Sequence, residues 1–122
     1  MKYLCMVIVD EKKLHALSET DAQALDDESL AYDATLREKG HFLAAQALES
    51  VQTATTLRLR NGKVSVTDGP FAETHEQVGG FILIEARDLN EAIQVASKIP
   101  ALHLGAVEVR PVKELTHSKD RK

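Results

Sequence analysis

One connection, Val66–Phe81, which reads VTDGPFAETHEQVGGF, sets ionisable residues among turn formers between two strands. Asp68, Glu73 and His75 offer two carboxylates and an imidazole within eight positions. A carboxylate beside a histidine is a usable acid–base pair if burial moves their pKa values toward neutrality. In that role Asp68 is the acceptor or general base, with His75 or Glu73 assisting. Gly69, Phe71 and Thr74 are then the neighbours that contact a bound molecule. The competing reading is a turn. An Asp side chain accepts backbone N–H bonds from the residues after it, Gly tolerates positive φ, Pro fixes φ, and Phe71 anchors the loop by burying its ring. The turn leaves the ionisable run AETHEQ and the Gly79–Gly80 pair unexplained. Glu73–Glu76 suits a single helical turn that places Glu73 near Gln77. The two glycines allow a bend or a close backbone approach where the next strand starts.

Other side chains qualify individually. Tyr32 lies on the apolar stripe of a helix, where its hydroxyl could reach a cleft under the sheet or simply pack in the core. Arg58 and Arg60 sit on the polar side of a hairpin and could receive an anion or pair across strands. His15 belongs to a polar loop that could cover a site. Cys5, the single cysteine, lies in an apolar run and reads as a buried thiol. The five histidines show no metal-ligand spacing, so no metal site is expected. The glycine patterns of dinucleotide and phosphate loops are absent, and no cofactor is implied.

The elements that position these residues follow from hydrophobic period. YLCMVIV (3–9) is a strand buried on both faces, and DEKKLHAL is a polar loop. Ser18 and Asp21 form a capping box for a helix over 19–39, with Leu25, Ser29, Tyr32 and Leu36 on its inner stripe and Gly40 as its stop. HFLAAQALE is a second strand. TLRLRNGKVSVT is a hairpin around Asn61–Gly62, the preferred pair for a type I′ turn. With Arg60 opposite Lys63, Leu59 faces Val64 and Leu57 faces Val66, so the four apolar side chains share one face. GFILIEA (80–86) is a further buried strand. Asp88 and Glu91 cap a second helix with Leu89, Ala92, Val95, Ala96 and Ile99 inward, which Pro100 ends. GAVEVRPV (105–112) is a last, alternating strand whose Glu108 and Arg110 share a face. Residues 1–115 form one domain, and 116–122 are a polar, frayed tail.

This order predicts an α+β, ferredoxin-like βαββαβ fold with an inserted β-hairpin. Two helices cover one face of the sheet. Several strands are apolar on both sides, so a second copy must cover the other face, giving a homodimer packed sheet to sheet as a dimeric α+β barrel. With 122 residues, 43% of them hydrophobic, there is enough apolar surface for one core. A net charge of −4 argues against nucleic acid as a direct ligand. No apolar run approaches a membrane span, and the start of the chain lacks the features of a signal peptide, so a cytoplasmic protein is expected.

DGPF followed by AET, then EQ-x-GGF, DLNEA and a terminal G-x-VEVRP resembles the DGPF-domain proteins, a branch of the YCII-related superfamily. The resemblance runs from MKYL to VEVRPV. It implies a ferredoxin-like α+β fold dimerised as an α+β barrel. The wider superfamily resembles a set of small enzymes with a His–Asp pair in a cleft, the His coming from the first helix. That position falls near Ser29 here, and the helix read over 19–39 has no histidine. In the DGPF branch the suspected site is Asp68–Phe71, joined by Glu73 and Thr74; where relatives often have Lys after AET, this chain has His75. Two functions are implied: an enzyme or binder of a small polar metabolite, or a regulatory module linked to an extracytoplasmic-function sigma factor.

Overall fold

In the computed structural model, which describes residues 1–120, β1 (Lys2–Asp10) is the organising strand. Its alternate residues Tyr3, Cys5, Val7 and Val9 are buried, while Leu4, Met6 and Ile8 on the opposite face are half-buried. α1 (Glu11–His15) follows directly, capped by Asp10, whose carboxylate accepts from Lys12 N at 3.0 Å. The sequence expectation of a loop here is corrected: one residue with a side-chain cap, followed by helix formers, is enough for a short turn of helix.

α2 (Glu19–Glu38) starts at Ser18, which accepts from Asp21 N at 3.0 Å, as the capping box requires. It stops at Gly40, at φ +78°, with the His41 amide donating to Leu36 O at 2.8 Å. β2 (Phe42–Ala47) leads through a single 3₁₀ turn at Val51–Thr53 to the hairpin of β3 (Thr55–Arg60) and β4 (Lys63–Asp68). The hairpin register is the one its sequence demands: Arg60 opposite Lys63, Leu59 opposite Val64, Leu57 opposite Val66. Asn61 and Gly62 both have positive φ, as a type I′ turn needs.

β5 (Glu76–Glu85) begins four residues earlier than its apolar run suggests, because the strand continues past a β-bulge at Gly79 to pair Val78 with Ile8 and Glu76 with Asp10. The helical turn expected over Glu73–Glu76 is therefore absent, Glu76 being already strand. α3 (Leu89–Ala96) is capped by Asp88 through Glu91 N at 2.9 Å. Pro100 opens a 3₁₀ turn over Pro100–Leu104, and β6 (Gly105–Pro111) closes the fold. Beyond it the Val112 amide still donates to Lys2 O, and a 3₁₀ turn spans Ser118–Asp120. Arg121 and Lys122, the end of the expected tail, lie outside the described residues.

The main sheet has the order β2-β5-β1-β6 with every neighbour antiparallel, and β3-β4 form a separate two-stranded sheet. This is the ferredoxin-like arrangement with an inserted hairpin. The helices cover one face. There Leu36 of α2 and Ala92, Val95, Ala96 and Ile99 from the α3 segment meet Tyr3, Cys5, Val7, Val9, Ile82 and Ile84. Among the described residues no helix is long and apolar enough to cross a membrane.

Two glycines are explained by close approach. A Cβ at Gly80 falls 2.7 Å from Gln46 O of β2, and one at Gly105 overlaps Ile8 O of β1. Both neighbours are strand backbone and cannot move aside cheaply. Gly80→Ala therefore pushes β2 off β5, and urea unfolding should show a loss of about 1–3 kcal/mol.

Candidate functional site

A cavity of about 560 Å³ lies between the helix-covered face of the sheet and α2. Val7, Val9, Gly80 and Ile82 form its sheet wall, α2 contributes Ser29, Tyr32 and Asp33, and Pro100–Ala101 close one end. Its size is in the range of small-molecule sites, and its lining is apolar with a few polar groups.

Four polar side chains define its chemistry. Tyr32 donates its hydroxyl to Val95 O at 2.6 Å, tying α2 to α3, and burial pushes its pKa up. Asp33, one residue on, is half-buried and has no hydrogen-bond or ion-pair partner among the described residues. Burial raises its pKa, and the charge of Arg37 one turn away only partly offsets this. Arg37 itself stacks over Phe42 at 4.1 Å. Glu11, at the start of α1, accepts from Ser50 Oγ at 2.8 Å and from Val51 N at 2.9 Å. The backbone N–H of Val51 is the main reason its pKa is lowered, with Ser50 and His15 adding to it against desolvation. His15 Nε2 stands 3.9 Å from Glu11 Oε1 at the mouth of the cavity. Glu11 thus fastens the end of β1 to the turn at Ser50 and stands beside His15, while Asp33 is the half-buried carboxyl on the wall with no partner; Asp26 and Glu49, also on the wall, are exposed.

Asp68, Gly69, Glu73, Thr74 and His75 are brought together as well, around a second hollow that also includes Pro70 and Gln77. Every residue lining it is exposed or half-exposed. Among the described residues no hydrogen bond or ion pair joins Asp68, Glu73 and His75, and all three side chains face solvent. The expected Asp cap is corrected too. Asp68 is the last residue of β4, and the Gly69 amide donates to Ala54 O at 2.8 Å instead of to a side chain. Thr56 Oγ donates to Gly69 O at 2.8 Å, so a threonine from the opposite strand does the fastening expected of the aspartate. Gly69 does have positive φ, at +110°. Gln77 Nε2 reaches back to Ala72 O and Thr74 O, at 2.6 and 3.3 Å, which replaces the expected approach of Glu73 to Gln77. Phe71 is not a buried anchor: it is 79% exposed, with the Arg58 guanidinium 5.2 Å from its ring centre.

The two hollows divide the candidate residues. Tyr32 belongs to the cavity under the sheet; Asp68, Gly69, Glu73, Thr74 and His75 belong to the loop, with Arg58 and Phe71 beside it. Sequence reasoning passed over Asp33 and Glu11. Asp33 follows Tyr32 on the helix, and its flank of the apolar stripe was the available signal. Glu11 carried no local signal, because its partners are about 40 residues away. No three of the described His, Cys, Asp and Glu residues gather closely enough to hold a metal ion. Cys5 is buried in the core, its thiol pushed up to about 11 by desolvation.

Residues 1–116 match the YCII-related domain family. An uncharacterized protein of Rhizobium meliloti (strain 1021) is 33% identical over 114 residues, which is 92% of each chain. A solved structure, 5-chloro-2-hydroxyhydroquinone dehydrochlorinase from Burkholderia phenoliruptrix AC1100 in complex with 2,5-dihydroxybenzoquinone, superposes with a TM-score of 0.51 over 100% of both chains at 18% identity. That likeness is one of fold.

Two substitutions check these assignments. Glu11→Gln keeps one acceptor but turns an N–H₂ toward a donor, and should cost about 1–3 kcal/mol at neutral pH. Because the folded pKa of Glu11 is lowered, its stabilisation is present above the ordinary carboxylate pKa and lost as pH falls through the depressed one. The gap between variant and wild type in urea titrations should therefore close in acid. Asp68→Asn, with no hydrogen bond to lose, should change unfolding free energy by less than about 0.5 kcal/mol.

Proposed function

The chain belongs to the YCII-related family, and on that premise we propose that it is a small-molecule enzyme that moves protons in the cavity between the sheet and α2. The observation that carries this is Asp33. A half-buried, unpartnered carboxyl with a raised pKa, on the wall of a 560 Å³ cavity, is suited to general acid–base work. An ionised Asp33 takes a proton from carbon or oxygen of the bound molecule. His15, at the cavity mouth, is the second group able to exchange protons with solvent. Glu11 and Tyr32 are positioning residues, since their polar atoms are committed to Ser50, Val51 and Val95.

Elimination or isomerisation of a small hydroxylated or unsaturated metabolite needs no more than this. The structural relative, named for a dehydrochlorination and holding a dihydroxybenzoquinone, supports a compound of that size and type. A site at the loop, with Asp68 as base, Glu73 or His75 assisting and Gly69, Phe71, Thr74 and Arg58 in contact, is the competing location. A regulatory module docking on an extracytoplasmic-function sigma factor is the second reading, favoured by the exposed Phe71 ring on that loop.

Amide chemical shifts measured during titration with 2,5-dihydroxybenzoquinone separate these. Shifts gathered at Tyr32, Asp33, Gly80 and Ala101 support the cavity. Shifts gathered over 68–77 move the site to the loop, and no shift at millimolar ligand rejects this compound class. Asp33→Asn adds a stability check. The raised pKa means the ionised form is disfavoured in the folded state, so wild type loses stability as pH rises through the folded pKa of Asp33. The variant should be the more stable protein at neutral pH, with the difference fading in acid, while ligand turnover is lost.

A further inference from the structure

Polar atoms on the wall of the cavity under the sheet are unevenly committed. The Tyr32 hydroxyl donates to Val95 O and the Ser50 hydroxyl to Glu11, while Glu11 also accepts from Val51 N. Asp33, half-buried, has no donor on either carboxylate oxygen among the described residues. The side-chain donors left over are the Ser29 hydroxyl, the Gln46 amide and the His15 ring, and the last two are exposed. The enclosed part of the wall thus has acceptors to spare and almost no donors, so a molecule that fits it must bring its own.

Charge points the same way. Glu11, Asp26, Asp33 and Glu49 line the cavity, and among the described residues no Lys or Arg does. Arg37, one turn from Asp33, is held over the Phe42 ring instead. A cleft lined by one sign of charge focuses its potential on whatever enters. An anion moved there gives up its water, meets carboxylates and finds no cation to pair with. The remaining surface, with Val7, Val9 and Ile82 on the sheet side, offers it only hydrocarbon.

We propose that the cavity selects an uncharged hydrogen-bond donor: a phenol, enol or hydroxyketone in its un-ionised form, bearing no carboxylate or phosphate. The inference rests on the proton-transfer reading of this cavity and narrows its substrate class. A neutral hydroxyl donates to ionised Asp33 on binding, and the same proton then passes to the carboxylate while its electron pair stays on the ligand oxygen. Recognition and chemistry use one hydrogen bond. A carboxylated or phosphorylated analogue brings acceptors and like charge toward Asp33 and Glu11, which is discrimination by repulsion. 2,5-Dihydroxybenzoquinone, a vinylogous acid ionised at neutral pH, is then a weaker ligand here than an un-ionised dihydroxybenzene of the same size.

Two ligands of one shape test this. 2,5-Dihydroxybenzamide and 2,5-dihydroxybenzoate differ in an uncharged amide against a carboxylate. Amide chemical shifts at Tyr32, Asp33, Gly80 and Ala101, followed at neutral pH, yield a dissociation constant for each. The benzamide should bind at least about 10-fold more tightly. Asp33→Asn removes the charge and keeps the shape, and should shrink that ratio at least about threefold, chiefly by improving the benzoate. The wild-type comparison stands without the variant. Equal affinities, or a tighter benzoate, with shifts at these residues overturn the charge selection and leave the proton-transfer reading in place. A preference that Asp33→Asn leaves intact overturns the inference as well, since the charge of Asp33 is then not its source. Shifts from both ligands gathered over 68–77, or no shifts at millimolar concentration, overturn the proton-transfer reading and this inference with it.

Discussion

β1 carries apolar side chains on both faces while lying between β5 and β6, and most of the molecule is a response to that demand. A strand of this kind needs a layer on each side. On one side the layer is built from the chain itself: α2 and α3 lay Leu36, Ala92, Val95 and Ala96 over Tyr3, Cys5, Val7 and Val9. On the other side Leu4, Met6 and Ile8 receive only their strand neighbours. The asymmetry divides the protein into an enclosed half that forms a cavity and an open half that offers a surface.

The cavity exists because α2 does not close fully on the sheet beyond Leu36. Its more N-terminal turns stand off from β1 and β5, and the gap is walled by Ser29, Tyr32 and Asp33. The Tyr32 hydroxyl on Val95 O holds the helix at this distance, and Glu11 holds the opposite rim through Ser50 and Val51. Gly80 matters for the same reason, since its missing Cβ lets β2 lie close on the cavity floor. Asp33 is left as the half-buried carboxyl of the wall with no partner, and a carboxyl kept at some cost to stability is what a working site tends to contain.

The loop that carries Asp68, Glu73 and His75 turned out to be the more solvated place. Asp68, Glu73 and His75 stand around an open hollow without bonding one another. Their turn is secured by Thr56 and by backbone, while the one aromatic ring, Phe71, faces outward under Arg58. A high density of charge in sequence is compatible with a solvated surface as much as with a site, because water satisfies such groups without help.

What the sequence by itself determined is local. Periodicity and caps placed β1, α2, α3 and β6, and Asn61–Gly62 set the hairpin register residue by residue, because turn geometry and alternation act over a few positions. The α+β, ferredoxin-like order followed from those elements. Short devices with partial signals were misread: α1 as a loop, and the start of β5 hidden behind the bulge at Gly79. The candidate site was less legible. Tyr32 was visible on its stripe, but Asp33 became distinctive only when burial removed its solvent, and Glu11 only when folding brought Ser50 and Val51 across 39 and 40 positions. Burial and long-range pairing are properties of the packed chain, so the half-buried carboxyl without a partner and the cavity that holds it were decided by the tertiary structure alone.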